Sequence, residues 1–407
     1  MKPSGKRIPR RHLLIGGAAA GIGAGSAALI GGTLSAAPEN ATSKPSSQVL
    51  NGGSKLAFHA PRQPGIETPA QAHASFLALR LNAGLGPEGV RRLLSLLTAD
   101  AVALSQGKAA LADMEGELAA EPANLSLTFG FGPGLFKAIG QRVPAAAQPL
   151  PAFGVDRLRP AFSGGDLLLQ LCCDDPLTLA HAQRMLLKDA RSFCTVQWLQ
   201  SGFRRAYGTE KAGATMRNLF GQLDGTGNPR SKDQERVIWG DDEIPAWQPN
   251  GTSLVLRRIS MNLDKWDELD RGGREESVGR TLDTGAPLTG SAEFDEPDFA
   301  AKTRLGFPVI ADFSHLRRAR PENPRQRIFR RAYNYDEPGR GSANADAGLL
   351  FASYQADVAQ QFLPIQKRLD ELDLLNQWTT PIGSAVFAIP PGCSPGGFIG
   401  DFLFDRA

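Results

Sequence analysis

The 407-residue chain is 42% hydrophobic and 21% charged, an ordinary globular composition that excludes a fibrous or largely disordered protein. Its formal net charge is +3, but five Lys and Arg residues precede the first acidic residue, Glu39, and removing that segment leaves a net charge of −2. This near-neutral balance argues against a nucleic-acid partner.

The first 37 residues have the pattern of an export signal. A basic start with the pair Arg10-Arg11 leads into an apolar, glycine-rich run to Leu34, followed by small residues. The pattern resembles a twin-arginine signal and predicts a protein exported already folded, to the periplasm or outside the cell. An uncleaved anchor helix is the alternative; the many glycines favour cleavage, which leaves no stable membrane span. Residues 38–54, rich in Ser, Asn, Gly and Pro, predict a flexible linker.

The remaining chain predicts strands and helices that interleave without a regular βαβ rhythm. Helical periodicity begins near Glu88, and an alternating segment ending at Gly130 predicts a strand. A similar layout recurs from Gly165, with a buried strand and then an amphipathic helix, and further strands follow Asn250 and near the C-terminus. The prediction is an α+β fold of two related halves, residues 55–215 and 216–407.

Four cysteines in an exported protein allow two disulfides. Cys172 and Cys173 are adjacent within an apolar run, however, and Cys194 and Cys393 show no framework spacing. The sequence therefore predicts buried free thiols.

The segment between the predicted halves, M-R-N-L-F-G-Q-L-D-G-T-G-N-P-R at residues 216–230, carries the most specific motif. Its G-Q-L-D-G matches the G-x-x-D-G motif of the dye-decolorising peroxidases. The resemblance continues through E-E-S-V-G-R-T-L-D-T-G-A-P-L, the H-L-R segment at His315, G-L-L-F and G-S-A-V-F-A-I-P-P-G. It extends from Phe58 to Phe404, so a chance match is excluded by its length and order.

This resemblance implies a haem b peroxidase with two ferredoxin-like halves of the dimeric α+β barrel type, antiparallel sheets with peripheral helices, and haem in the C-terminal half. It implies that His315 is the proximal iron ligand, Asp224 the distal acid and Arg330 the distal arginine. Hydrogen peroxide and aromatic or dye-type donors are the substrates that it implies.

The residue types suit that chemistry. Peroxide cleavage needs a group that takes a proton from one oxygen and delivers it to the other, and a carboxylate such as Asp224 does this well in acidic solution. Negative charge grows on the departing oxygen, and the fixed guanidinium of Arg330 stabilises it. We therefore expect peroxidase activity to be highest at acidic pH.

Four further residues have expected roles around the haem. Arg331 either holds a haem propionate or faces water. Asn376 falls near the place where some members of the family carry the group that orients the proximal imidazole. Leu350 and Phe351 are expected to form an apolar lid over the distal face. The basic connector from Arg317 onwards is expected to be solvated surface.

A tight pocket would force bulky dyes to be oxidised at the surface through aromatic residues. Tyr333, Tyr335 and Trp378 are the candidates, although packing is the commoner role for such side chains. Unchanged dye turnover after replacing each with Phe would remove this hypothesis.

Two other functions remain open. The chain is also similar to the exported branch of the family that accompanies iron uptake, in which a deferrochelatase-like protein releases iron from haem, with iron-uptake proteins as partners. A haem-free binding module is the third possibility, and it predicts no Soret band. A homo-oligomer is possible, whereas loading into a protein shell is not expected.

Overall fold

A computed structural model describes residues 50–321, 323–338 and 345–404. The predicted signal and most of the predicted linker lie outside these residues. Within the described part, no helix is long and apolar enough to cross a membrane.

The N-terminal half has the element order βαββαβ, with a short extra helix before its third strand. Its four strands and three helices are β1 His73–Leu81, α1 Pro87–Ser105, β2 Ser126–Phe131, α2 Pro133–Ala138, β3 Leu167–Cys173, α3 Pro176–Ala190 and β4 Cys194–Phe203. The strands are antiparallel in the order β2-β3-β1-β4, which is the ferredoxin-like order.

The C-terminal half repeats that arrangement. Its elements are α4 Ser231–Trp239, β5 Thr252–Met261, α5 Leu263–Asp267, α6 Arg271–Val278, α7 His315–Ala319, β6 Phe329–Arg330, β7 Tyr333–Pro338, β8 Ala345–Gln355, α8 Leu363–Leu372 and β9 Thr379–Ile389. The sheet order β9-β5-β8-β7 matches that of the first half. The short strand β6 pairs with the same edge of β8 as β7 does, next to β7 along that edge. The duplicated α+β fold is thus confirmed.

The two sheets join into one closed barrel. Phe131 of β2 pairs with Ala388 of β9, and Phe203 of β4 pairs with Asn334 of β7. The second junction needs the glycine at 202, because a Cβ there would lie only 2.7 Å from the Cβ of Tyr333. A glycine therefore permits the close approach that closes the sheet.

The two largest of the four apolar clusters among the described residues follow from the alternation of strand side chains. The barrel interior is filled from both halves, including Phe76, Leu254 and Phe387. The outer face of the first sheet packs instead under α1 and α3. All four cysteines are free and buried, as predicted, so they act as apolar packing groups.

The basic connector is not plain solvated surface. Its arginines form ion pairs with acidic residues of other segments, as Arg318 does with Glu371 and Arg325 with Glu243. Arg318 and Arg368 also each donate to the other's main-chain carbonyl, which fixes α7 against α8. The connector therefore fixes the position of the helix that begins at His315.

Asp100 of α1 and Asp189 of α3 form a carboxyl pair within the first half. Asp100 is 1% exposed, and one oxygen of each carboxyl is buried without a donor among the described residues. Burial and the hydrogen bond with Asp189 raise the pKa of Asp100 to about 7. A proton shared between the two side chains satisfies both oxygens.

We expect Asp100→Asn to stabilise the fold in a pH-dependent manner. Because the folded-state pKa is raised, the wild type loses stability as the pH rises from about 4 to about 7, by up to roughly 1.4 kcal/mol per pH unit. Asn needs no proton, so the gain in Tm should grow across that range in thermal unfolding. Asp242→Asn, at an exposed site, is the control; a gain that is constant with pH would contradict the shared proton.

Candidate active site

Asp224 lies in the irregular segment between the two halves. Its main-chain N–H donates to the Met216 carbonyl at 2.7 Å, and the following glycine has φ +141°, a conformation that other residues rarely adopt. The side chain of Asp224 is 11% exposed. Its Oδ1 accepts a hydrogen bond from Nη1 of Arg330 at 3.0 Å. The structure thus brings together the two predicted distal residues.

Arg330 lies on β6, and its position explains which neighbours share its face. It pairs with Ser353 of β8, so the two side chains lie on the same face of the sheet. Phe351, two residues before Ser353, lies on that face as well. Phe351 therefore lies on the same face as Arg330, as a lid residue would require.

Arg331 and Leu350 lie on the opposite face, and the expectations for both were wrong. Leu350 is fully buried inside the barrel and cannot cover the distal side. Arg331 is 2% exposed and donates to the carbonyl oxygen of Thr68 and to Oε1 of Gln71. It does not face water, and both of its terminal nitrogens, Nη1 and Nη2, donate to protein oxygens, not to a propionate. Its buried Nε has no hydrogen-bond partner among the described residues.

His315 is the first residue of α7, and its ring is held by a carboxylate. Nδ1 of His315 lies 2.6 Å from Oδ2 of Asp373. Burial lowers the pKa of His315, but the charge and hydrogen bond of Asp373 outweigh it, so the pKa is raised overall. With Nδ1 bound to a carboxylate, Nε2 is the nitrogen left to ligate a metal.

Asp373, not Asn376, is therefore the partner of the imidazole. Nδ2 of Asn376 donates to the Leu369 carbonyl at 2.9 Å and does not orient His315. The other oxygen of Asp373 caps the turn that contains Asn376, accepting from the Leu375 N–H at 3.0 Å. Its position before the 3₁₀ turn Leu374–Gln377 is the sequence signal that could have identified it.

Asp224, Arg330 and His315 lie close enough for their charges to interact. The charges of Arg330 and Asp224 both act on the pKa of His315, the first lowering and the second raising it. Side-chain exposure is 31% for His315 and 21% for Arg330, so both retain accessible surface. One site thus combines an imidazole, a carboxylate and a guanidinium.

Arg280 is a further arginine near this site that the sequence interpretation left without a role. Burial lowers its pKa, and the charges of Arg330 and Arg320 lower it further against the opposing effect of Glu293. Its Nη1 donates to the carbonyls of Gly285 and Glu293 at 2.6 and 2.9 Å. Arg280 is part of the sequence G-R-T-L-D, but that motif does not indicate that the side chain lies near Arg330.

The predicted electron-transfer residues have different environments. Tyr333 and Tyr335, at 0% and 1% exposure, lie inside the barrel and are therefore not surface sites. Trp378 is 8% exposed, and its ring packs edge-on against Trp266 at 5.2 Å between centroids. Trp378 is thus largely buried as well, and its role in electron transfer stays a prediction.

Comparisons with known proteins agree with this geometry. Residues 63–204 match the family model described as Dyp-type peroxidase, N-terminal, and residues 215–394 match Dyp-type peroxidase, C-terminal. A dye-decolorizing peroxidase of Thermobifida fusca is 38% identical over 360 residues, covering 84% of each chain. The chain belongs to the dye-decolorising peroxidase family. It is an enzyme, a haem peroxidase that reduces hydrogen peroxide at the expense of reducing substrates.

Two further proteins are similar to this chain over most of its length. The crystal structure of a DyP-type peroxidase from Cellulomonas bogoriensis is 50% identical, with a TM-score of 0.84, and the match covers 87% of this chain and 99% of that one. A protein named deferrochelatase, from Escherichia coli, is 33% identical over 360 residues, covering 83% of this chain and 84% of its own.

The residues present fit a haem of this family. An iron-ligating histidine normally donates its second ring N–H to a carboxylate or carbonyl, and His315 has that partner in Asp373. The guanidinium and carboxylate of Arg330 and Asp224 are hydrogen-bonded to each other and partly exposed. The donor set therefore suits an iron porphyrin in the C-terminal half.

We expect Asp373→Asn to weaken haem binding by about 10- to 100-fold, because the imidazole loses the charge that orients it and increases its basicity. Titration of haem-free protein with haem, followed at the Soret band, measures this. Asn376→Ala is the matched control from the same turn and should bind haem as the wild type does. Equal affinity of Asp373→Asn and wild type would contradict the assignment.

Proposed function

We propose that Asp224 and Arg330 carry the reaction with hydrogen peroxide and that His315 binds the haem iron through Nε2. The hydrogen-bonded pair of Asp224 and Arg330, with His315 fixed by Asp373, is the observation that supports this assignment. A haem held by His315 would supply the two electrons that reduce peroxide, and aromatic or dye-type donors would restore them.

The two oxygens of Asp224 have different partners, which divides their roles. Oδ1 accepts from the Arg330 guanidinium, whereas the one hydrogen bond to Oδ2 from the residues that the structure describes is a long one, 3.4 Å from Nδ2 of Asn218. Oδ2 is therefore the atom that accepts a proton from one peroxide oxygen and returns it to the other, so that the second leaves as water. Arg330 stays protonated and stabilises the negative charge on the leaving oxygen.

We expect Asp224→Asn to slow the reaction with peroxide by about 10²- to 10⁴-fold, because the proton acceptor is lost. Arg330→Leu should slow it by about 10²- to 10³-fold through loss of charge stabilisation. Rapid mixing with peroxide, followed by absorbance of the haem, gives the rate constants. Arg205→Leu, in an exposed ion pair with Glu210, is the control. Wild-type rates in both site variants would exclude the proposed roles.

The second candidate function is release of iron from haem. The similarity to deferrochelatases over most of the chain favours it, and partners from an iron-uptake system would follow from it. We expect incubation with haem and a reductant, without peroxide, to yield metal-free protoporphyrin that is detected by its fluorescence. Fluorescence no higher than that of a haem-only sample would exclude iron release. Peroxidase activity would then be the one remaining candidate function.

We also propose that the chain is exported by the twin-arginine route to the periplasm or the exterior. The support is the Arg10-Arg11 pair followed by a weakly apolar, glycine-rich run. Replacing both arginines with Lys should leave the protein in the cytoplasm; unchanged export of that variant would contradict the route.

A further inference from the structure

Asn228 makes two hydrogen bonds to the main chain of Arg330. Its Nδ2 donates to the Arg330 carbonyl at 2.8 Å, and its Oδ1 accepts from the Arg330 N–H at 2.9 Å. Asn228 is four residues after Asp224, and its own N–H donates to the Gly225 carbonyl at 2.9 Å. One side chain thus connects the turn that carries the distal acid to the backbone of the distal arginine.

The position of β6 at the edge of the sheet explains why a carboxamide is required. Among the described residues β6 pairs with β8 alone. The N–H of Arg331 donates to the Ala352 carbonyl of β8, so the N–H and C=O of its neighbour Arg330 point away from β8. Unpaired main-chain groups at a half-buried edge are costly. A carboxamide has the donor and acceptor of a peptide group, and Asn228 therefore takes the place of a neighbouring strand.

We propose that Asn228 is a positioning residue that sets the distance between the Asp224 carboxylate and the Arg330 guanidinium. The inference rests on the proposed roles of Asp224 and Arg330 and adds the element that holds them in register. A displacement of about 1 Å in such a pair can cost about 100-fold in rate. Asn228 touches the main chain of Arg330, not the reacting atoms, so it acts through its neighbours.

The turn has a second attachment that Asn228 does not provide. The hydroxyls of Thr215 and Thr226 both donate to Oε1 of Glu293, at 2.6 and 2.9 Å. Removal of the Asn228 side chain therefore leaves the turn attached to the 280–296 segment. We expect the variant to fold, with the spacing of the distal pair relaxed.

The first half contains a matched control in Gln63. Its Nε2 donates to the Phe129 carbonyl at 3.0 Å and its Oε1 accepts from the Phe129 N–H at 2.7 Å, the same pair of hydrogen bonds to the main chain of one strand residue. Nε2 also donates to the Pro390 carbonyl at 2.9 Å. Gln63 is 3% exposed and lies in the N-terminal half. Gln63→Ala thus removes a carboxamide with the same pair of main-chain hydrogen bonds, from a more buried place than that of Asn228, without changing the distal pair.

The decisive test compares Asn228→Ala with Gln63→Ala in the haem-loaded protein. Asn228→Ala should keep its Soret band and its KM for the aromatic donor, while the rate constant with peroxide falls at least 10-fold. Gln63→Ala should have a lower Tm than the wild type but the same rate constant with peroxide. A wild-type rate constant in Asn228→Ala, or an equal fall in both variants, would overturn the positioning role.

A second readout does not depend on haem or on activity. In haem-free protein, hydrogen exchange of the peptide that contains residue 330 should be at least 10-fold faster in Asn228→Ala than in wild type, and unchanged in Gln63→Ala. Equal protection would show that the clamp does not exist in solution. If Asp224→Asn and Arg330→Leu also react at wild-type rates, the proposed function itself fails; if only Asn228→Ala does, the clamp alone fails.

Discussion

The two-residue alternation of side chains along β6 and the start of β7 is the constraint on which the site depends. It places Arg330 on the outer face of the second sheet, with Phe351, and sends Arg331 into the barrel, with Leu350. Adjacent arginines consequently have unrelated roles. A shift of register by one residue would exchange the faces of Arg330 and Arg331. Such a shift would disrupt both the site at Arg330 and the buried hydrogen bonds of Arg331.

The site is assembled from segments far apart in the chain, and each main residue has a dedicated support. Asp224 comes from the segment between the halves, and His315 from the first turn of a five-residue helix that Arg318 ties to α8. Asp373 uses one oxygen for His315 and the other to cap its own turn. Short, irregular elements thus gain their rigidity from side-chain hydrogen bonds, since they are too short to be stable alone.

Much of this architecture could be predicted because periodicity and motifs are local properties. The duplicated halves followed from strand and helix patterns, and the motifs identified the residues that the structure brings together as the Asp224–Arg330 pair. The errors arose where neighbours in sequence were assumed to share surroundings. Leu350 was grouped with Phe351 although strand neighbours face opposite ways. Asn376 was expected near the imidazole, and Asp373, whose hydrogen bond to His315 spans 58 residues, was not considered. The partners of a long-range contact are set by the packing of whole elements, which a local motif does not contain.

Arg331 connects the two halves in a way that also constrains the catalytic face. A buried guanidinium is costly unless its N–H groups are paired. The partners of Nη1 and Nη2 of Arg331 are Thr68 and Gln71, which both belong to the N-terminal half. Gln71 in turn donates to the carbonyl of Asn124 and the hydroxyl of Ser126. The first half, from which none of the proposed catalytic residues comes, thereby holds the strand segment next to Arg330 from inside the barrel. Arg330 thus projects from a backbone fixed on one side by the barrel and on the other by Asn228.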